Sequence, residues 1–262
     1  MLNESNDRRG VVRLALDRPE VHNAFNAGLI DRLTERFAEL ADKPPRALVL
    51  TGSGRSFSAG ADLGWMRSMA DADEAANRAD AQRLAAMFRA LDTLPCPVIA
   101  RVQGHAFGGG VGLVACCDMA VAATSARFGL TEVRLGLVPA TIAPFVIARI
   151  GTTHARRWFL TGERFDAAEA RRIGLVDSVV ADASLDAAID ARLDALLACG
   201  PNAVAECKAL IRRVDEFDGG THELDAITAE WIARLRISEE GQAGLRAFLD
   251  KRTPDWTRNP DA

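Results

Sequence analysis

Twice in this chain a short run containing β-branched residues gives way to a glycine-rich turn and then to a helical pattern, a succession that confines the fold to the α/β class. The first turn, Ser56-Phe-Ser-Ala-Gly-Ala-Asp-Leu63, follows a predicted strand at 46–51. The second, Gly104-His-Ala-Phe-Gly-Gly-Gly-Val-Gly-Leu113, follows one at 98–102. Further strands are expected at 11–16, stopped by Asp17-Arg-Pro19, and at 119–123. Asn26 is a candidate cap for a helix with Leu29, Ile30, Leu33, Phe37 and Leu40 on one stripe. Residues 73–91 read as a second helix, closed by Pro95 and Pro97, and Gly108-Gly-Gly110 opens a short apolar third. Gly52 to Gly60 is so rich in Gly and Ser that it is expected to be loop.

Strand and helix patterns alternate to about residue 180, and from Ser184 the pattern is helical only. Ser184 is placed as the cap of a helix over 185–198, Gly200-Pro201 breaks the chain, and helices are predicted at 222–236 and 239–251. The expected division is a catalytic α/β region over 1–199 and a helical region over 200–262.

Composition removes several classes of function. The net charge is −4, and the chain has no polybasic run, which argues against a nucleic-acid partner. Five cysteines without a CxxC or a Cys/His zinc spacing point to reduced thiols in a cytoplasmic protein with no metal. Cys116 and Cys117 lie in an apolar stretch and read as packing residues. The first ten residues lack the apolar core of a secretory leader. The longest apolar stretch, 111–123, is interrupted by Asp118 and is too short for a bilayer, so no membrane partner is expected.

Chemistry is concentrated in the two glycine turns and in a third segment, Ala126-Arg-Phe-Gly-Leu-Thr-Glu-Val-Arg-Leu-Gly-Leu-Val-Pro139. Glycine lets backbone N–H groups approach a ligand closely, and a glycine triplet ahead of a helix leaves amides free for negative charge. Two such turns could aim two donors at one oxygen, as a thioester enolate requires. From spacing alone, plain turns remain an alternative. A dinucleotide reading of Gly110-Val-Gly-Leu-Val-Ala115, with Glu132 as the ribose ligand, conflicts with the strand at 119–123, after which the acidic residue should stand. A hydrolase elbow fails because Ser56 and Ser58 each lack one flanking glycine. Taken alone, Glu132 would be a solvated carboxylate at a helix start. His105 could face the active site but reads first as space-filling, Trp231 and Trp256 read as packing residues, and Lys251 reads as a surface lysine ahead of a contact to a CoA phosphate. His22, His154 and His222 show no metal spacing.

Taken together, Asp17-Arg-Pro with Asn23-Ala, Phe57-Ser-Ala-Gly-Ala-Asp-Leu, Gly104 with Gly108-Gly-Gly, Asp118, Phe128-Gly-x-x-Glu and Leu135-Gly-x-x-Pro resemble the enoyl-CoA hydratase/isomerase (crotonase) family. Downstream, Leu160-Thr-Gly-Glu-Arg-Phe, Gly174-Leu-Val, Glu240-Gly-x-x-Gly and Ala247-Phe-Leu-Asp-Lys-Arg-x-Pro extend the resemblance over nearly the whole chain. The resemblance implies a spiral of ββα units with a C-terminal helical region, assembled as a homotrimer or homohexamer. It implies an acyl-CoA thioester as substrate, with coenzyme A as part of that substrate and no separate cofactor. It places the oxyanion hole on the backbone N–H groups of Ala61 and Gly109 and the acid/base role on Glu132. Ala59, Asp62, Leu63, Gly64 and Arg67 would line the acyl-CoA, with Val21 and His22 near its pantetheine and adenine portions.

One departure changes the chemistry expected. Many hydratases of this family carry a second glutamate where this chain has Gly112. A double-bond isomerase needs only one carboxylate, so Gly112 favours an isomerase. Phe107-Gly-Gly-Gly-Val-Gly-Leu-Val-Ala-Cys-Cys-Asp, Val138-Pro-Ala-Thr-Ile-Ala-Pro-Phe and Gly64-Trp-Met-Arg67 pull the other way. They resemble bacterial methylglutaconyl-CoA and isohexenylglutaconyl-CoA hydratases of leucine and isoprenoid degradation. A hydratase is therefore expected ahead of an isomerase, and a non-catalytic CoA-binding scaffold is the alternative of another class. Gly112 removes negative charge from beside the reacting carbons, and Arg67 could hold a carboxylate, so a substrate with a second carboxylate is expected.

Overall fold

The structure is a computed structural model that describes residues 1–257. β1 (Leu2–Asn6) runs antiparallel to β2 (Val11–Leu16), whose residues 11, 12, 14 and 16 are buried. After the helical turn at Pro19–Val21 comes α1 (Ala27–Asp42). Asn26 caps it by accepting from Leu29 N at 2.9 Å, and the predicted stripe Leu29, Ile30, Leu33, Phe37 and Leu40 is its buried face. β3 (Ala47–Gly52) then pairs parallel with β2.

The chain next makes β4 (Ser56–Ser58), α2 (Leu63–Ala70) and α3 (Glu74–Asp92), the last capped by Asp73. β5 (Val98–Val102), β6 (His105–Phe107), α4 (Gly109–Cys116), β7 (Met119–Ala123) and β8 (Arg127–Gly129) follow. α5 (Ala143–Thr161), β9 (Arg164–Asp166), α6 (Ala167–Arg172) and β10 (Ser178–Val180) complete the mixed region.

These strands form two sheets. One has six strands in the order β1-β2-β3-β5-β7-β10, parallel except at β1. The other has four, β4-β6-β8-β9. Each glycine turn leaves a strand of the small sheet at its C-terminal end, so the sheet gathers three loops at one edge. β4 and β6 are parallel, as are β6 and β8. Parallel pairing makes all three strands deliver their following loops to the same side.

β4 corrects the expectation of loop throughout 52–60. Its pairing is only three residues long, and a Gly/Ser-rich composition hides so short a strand. The main core lies between the sheets and α1, α3, α4 and α5, and includes Phe25, Phe37, Phe57, Phe88 and Phe128. Cys116 and Cys117 are buried in it, and all five cysteines are free.

The rest is helical: α7 (Leu185–Leu197), α8 (Pro201–Asp215), α9 (Thr221–Ile237) and α10 (Glu239–Leu249). Ser184 precedes α7 but makes no side-chain cap, because it ends a helical turn at Asp182–Ser184 with φ −100° and ψ 0°. Trp256 packs against α10 beside Gly244 and donates its indole N–H to Ala198 O at 3.3 Å, and Lys251 is exposed. The end of the predicted 200–262 region, residues 258–262, lies outside the described residues. No helix among the described residues is long and apolar enough to cross a membrane.

Candidate active site

The first turn is anchored by the strap at 18–25. His22 and Asn23 adopt left-handed backbone conformations, with φ 54° and 56°, which turn the chain back across β4. Asn23 is fully buried, and its side chain is fully engaged. Its amide donates to Ser53 O at 2.9 Å and Ser56 O at 2.8 Å, and its oxygen accepts from Arg18 N. Ser58 Oγ donates to Asn23 O at 2.9 Å.

A ladder then forms between the strap and the turn. Ala59 N donates to His22 O, Phe25 N to Gly60 O and Asp62 N to Phe25 O, with Phe25 and Ala61 as a parallel bridge. In an extended segment the groups flanking a residue point one way and its own N–H the other. Gly60 O and Asp62 N face Phe25, so the Ala61 N–H faces away, and it donates to no acceptor among the described residues.

The second turn runs beside the first. Gly60 and Gly108 both have positive φ, at +85° and +50°. A Cβ on Gly60 would lie 3.0 Å from Phe107 O and 3.7 Å from Gly108 Cα. Such closeness is open only to glycine. Gly108 N donates to Gly129 O, and its own carbonyl accepts from the Val111 and Gly112 amides. Gly109 begins α4, so its N–H has no acceptor within the helix, and none is found elsewhere among the described residues. Phe25 and Phe88 pack beneath it: a Cβ on Gly109 would lie 2.6 Å from Phe25 Cε2.

Glu132 completes the convergence. It opens the helical turn Glu132–Leu135, which ends at Gly136 in a left-handed conformation. A Cβ on Gly108 would stand 2.9 Å from Glu132 Oε1, so the carboxylate faces the glycine triplet. Glu132 Oε2 is buried without a hydrogen-bond partner among the described residues. Burial raises the carboxyl above its ordinary pKa, against a smaller lowering by its own backbone N–H. This is not the solvated helix-start carboxylate that isolated reading would give.

The other predicted positions fall around these turns. Val21 is half-buried, and exposed His22 sets its Nδ1 3.1 Å from Ser56 Oγ. Asp62 caps α2, accepting from Gly64 N at 2.8 Å, and pairs with Arg18 at 3.0 Å. Burial pushes the Asp62 carboxyl up, but the Gly64 N–H and the Arg18 guanidinium together hold it below its ordinary value. Leu63, Gly64 and Arg67 are exposed, and Arg67 has no ion-pair partner among the described residues. His105 is corrected: it is an exposed strand residue stacked on Phe107 with ring centroids 5.3 Å apart, not a space-filler. At its position on β6 it shares an outward row with Arg127, whereas Ala106 takes the buried row.

Gly112 has a partner the sequence did not disclose. A Cβ there would collide with the Ile142 methyl Cγ2 and stand 2.9 Å from Phe88 Cε1. Ile142 and Phe88 are both buried. The space beside Gly112 is therefore filled by hydrocarbon. Arg18, Asn23 and Phe25, which hold the first turn, also went unassigned, because their roles depend on a strap that folds back over β4.

Among the described residues no group of three or more His, Cys, Asp or Glu side chains could hold a metal ion. A cavity of about 600 Å³, bounded by Arg89, Phe145, Lys208 and Arg212, lies elsewhere and includes none of the turn residues. The size of an opening does not locate chemistry; the adjoining glycine turns, with two free amides among the described residues and a buried carboxylate beside them, are the stronger indication.

Comparison with known proteins gives consistent matches. The sequence model of the family described as "Enoyl-CoA hydratase/isomerase" matches residues 6–259. The chain is similar to an enoyl-CoA hydratase of Alternaria alternata, 37% identical over 243 residues that cover 91% of this chain and 78% of the relative. The solved structure of an enoyl-CoA hydratase from Shewanella pealeana superposes with a TM-score of 0.93 at 42% identity, covering 97% of this chain and 95% of that one. Pseudomonas aeruginosa AtuE gives 0.93 at 38% identity, covering 98% and 99%.

Proposed function

The chain belongs to the enoyl-CoA hydratase/isomerase family, and we propose that it adds water across the double bond of an α,β-unsaturated acyl-CoA. One observation carries the reading: two amides unengaged among the described residues, on Ala61 and Gly109, lie in adjoining turns with Glu132 against the second of them. In the proposed reaction the thioester oxygen accepts from both N–H groups. Glu132, as carboxylate, takes a proton from water while the water oxygen bonds to the β-carbon. The π electrons move onto the thioester as an enolate, which the two amides stabilise. Protonated Glu132 then delivers its proton to the α-carbon, so the net change is one water added. Loss of one oxyanion donor typically costs about 2.7–4 kcal/mol of transition-state stabilisation. A carboxyl whose pKa is raised by burial suits both halves of this exchange.

The filled space at Gly112 supports a one-carboxylate mechanism. The same observation favours a second reading, movement of a double bond by an isomerase, since Glu132 alone could carry a proton from one carbon to another. Ala59, Asp62, Leu63 and Gly64 would contact the acyl-CoA, with Val21 and His22 toward its nucleotide end. Arg67, exposed on α2 and without an ion-pair partner among the described residues, would receive a second carboxylate on the acyl chain.

The test is a panel of crotonyl-CoA, 3-methylglutaconyl-CoA and a 3-enoyl-CoA, on wild type and Arg67→Ala. The expected result is hydration, with a preference for the dicarboxylic substrate that disappears in Arg67→Ala. Turnover confined to the 3-enoyl form would replace the hydratase with the isomerase. A wild-type preference for crotonyl-CoA would end the second-carboxylate idea.

A further inference from the structure

The turn bearing Ala61 leads into α2, and no residue of α2 is buried. An eight-residue helix with no fully buried residue has only a weak apolar hold, and polar tethers supplement it. At its start, Asp62 accepts from its first amides and pairs with Arg18. At its end, Asn77 of α3 donates to Met69 O at 3.0 Å and Ala72 O at 3.1 Å. Between them, the half-buried Trp65 donates its indole N–H to Asp80 Oδ1 at 3.3 Å.

Asp80 is the unusual member of the set. It lies on the buried side of α3 with Met87, Phe88 and Leu91, and is only 6% exposed. Burying a carboxylate is unfavourable unless it is paired. Arg83 supplies that pairing, donating to the same oxygen at 2.9 Å while reaching toward Asp31 of α1 at 4.0 Å. The arrangement thus presents a held, charged acceptor to a single group on α2, the Trp65 indole. Trp65 also packs against the main core.

We propose that Asp80 is a positioning residue for the acyl site. By accepting the Trp65 N–H it fixes the seat of α2, and through α2 the Ala61–Leu63 turn on which a thioester would lie. The inference rests on the reading of that turn as the thioester site. Asp80 acts through Trp65 and has no part in moving protons, so its loss disturbs thioester binding, and turnover through the Ala61 N–H, but not the pH dependence that Glu132 sets.

The experiment measures binding of butyryl-CoA, which is saturated and cannot be hydrated, to the full chain, alongside crotonyl-CoA kinetics. Asp80→Ala is expected to weaken butyryl-CoA binding about tenfold, whereas Asp80→Asn, which keeps an acceptor oxygen, stays within about twofold of wild type. Saturated turnover should also fall in Asp80→Ala, since a displaced Ala61 N–H stabilises the enolate less, and stay within about twofold of wild type in Asp80→Asn, with the pH profile of both variants unchanged. Trp65→Phe should weaken binding as Asp80→Ala does, and the double variant should add less than about twofold to either, because both remove one interaction. Wild-type affinity in Asp80→Ala, or single losses that multiply in the double variant, would overturn the proposal. If Asp80→Ala does not fold, Trp65→Phe decides: unchanged butyryl-CoA affinity there overturns it as well. Failure of the hydratase reading is distinguishable, since wild type would then bind butyryl-CoA tightly yet hydrate no enoyl-CoA.

Discussion

Glu132 holds a buried oxygen without a partner among the described residues, beside the turn whose Gly109 amide is likewise unengaged among them. Such an oxygen is costly to the fold, and the cost has a predictable sign. Its folded-state pKa lies above the ordinary carboxyl value, so folding favours the protonated form. The associated stability is fully present below the unfolded pKa and is lost as pH rises through the folded pKa. Glu132→Gln should therefore melt at a higher temperature than wild type at neutral pH, with the gap closing as the buffer is made acidic. Equal melting temperatures across that range would mean that the carboxyl is not held in a desolvated place. Glu132 could be singled out from sequence only through the motif around it, since a lone glutamate at a helix start carries no sign of burial. His105 was misjudged for a related reason: a three-residue strand decides which way its side chain points, and periodicity cannot detect so short a strand.

At the level of elements, the long periodic pieces were legible and the short ones were not. The stripe on α1 and the Asn26 cap could be read because five apolar residues recur at helical spacing behind a capping residue. β4, β6, β8 and β9 have three residues each, too few to show a period, yet they gather the site. The packing of α4 was equally hidden. Gly112 invited comparison with a missing carboxylate, but nothing in sequence announced that Ile142, thirty positions later, occupies the space. That packing makes a coupled prediction. Gly112→Glu alone should destabilise the fold by about 1–3 kcal/mol through overpacking against Ile142 and Phe88. Adding Ile142→Gly should recover part of the loss, as read from denaturant midpoints. Strictly additive losses would show that the two positions do not share one space.

At the scale of the whole molecule, several large apolar side chains of the helical region stand exposed. Ile211, Ile237, Phe248 and Leu249 are 71%, 80%, 81% and 75% exposed. Large apolar side chains this exposed on three successive helices are candidates for contact with another protein. We propose that copies of this chain cover them, in the trimer or hexamer that the family resemblance implies. Light scattering should give a mass of three or six chains, and a monomer at micromolar concentration would remove that assembly from the account. The central claim, however, concerns one carboxylate. It is tested most directly by the turnover of enoyl-CoA by Glu132→Gln, which keeps the size of the side chain but cannot carry the proton. The account predicts a loss of at least about 10²-fold in turnover with CoA thioester affinity retained. Turnover near the wild-type rate in this variant would contradict it.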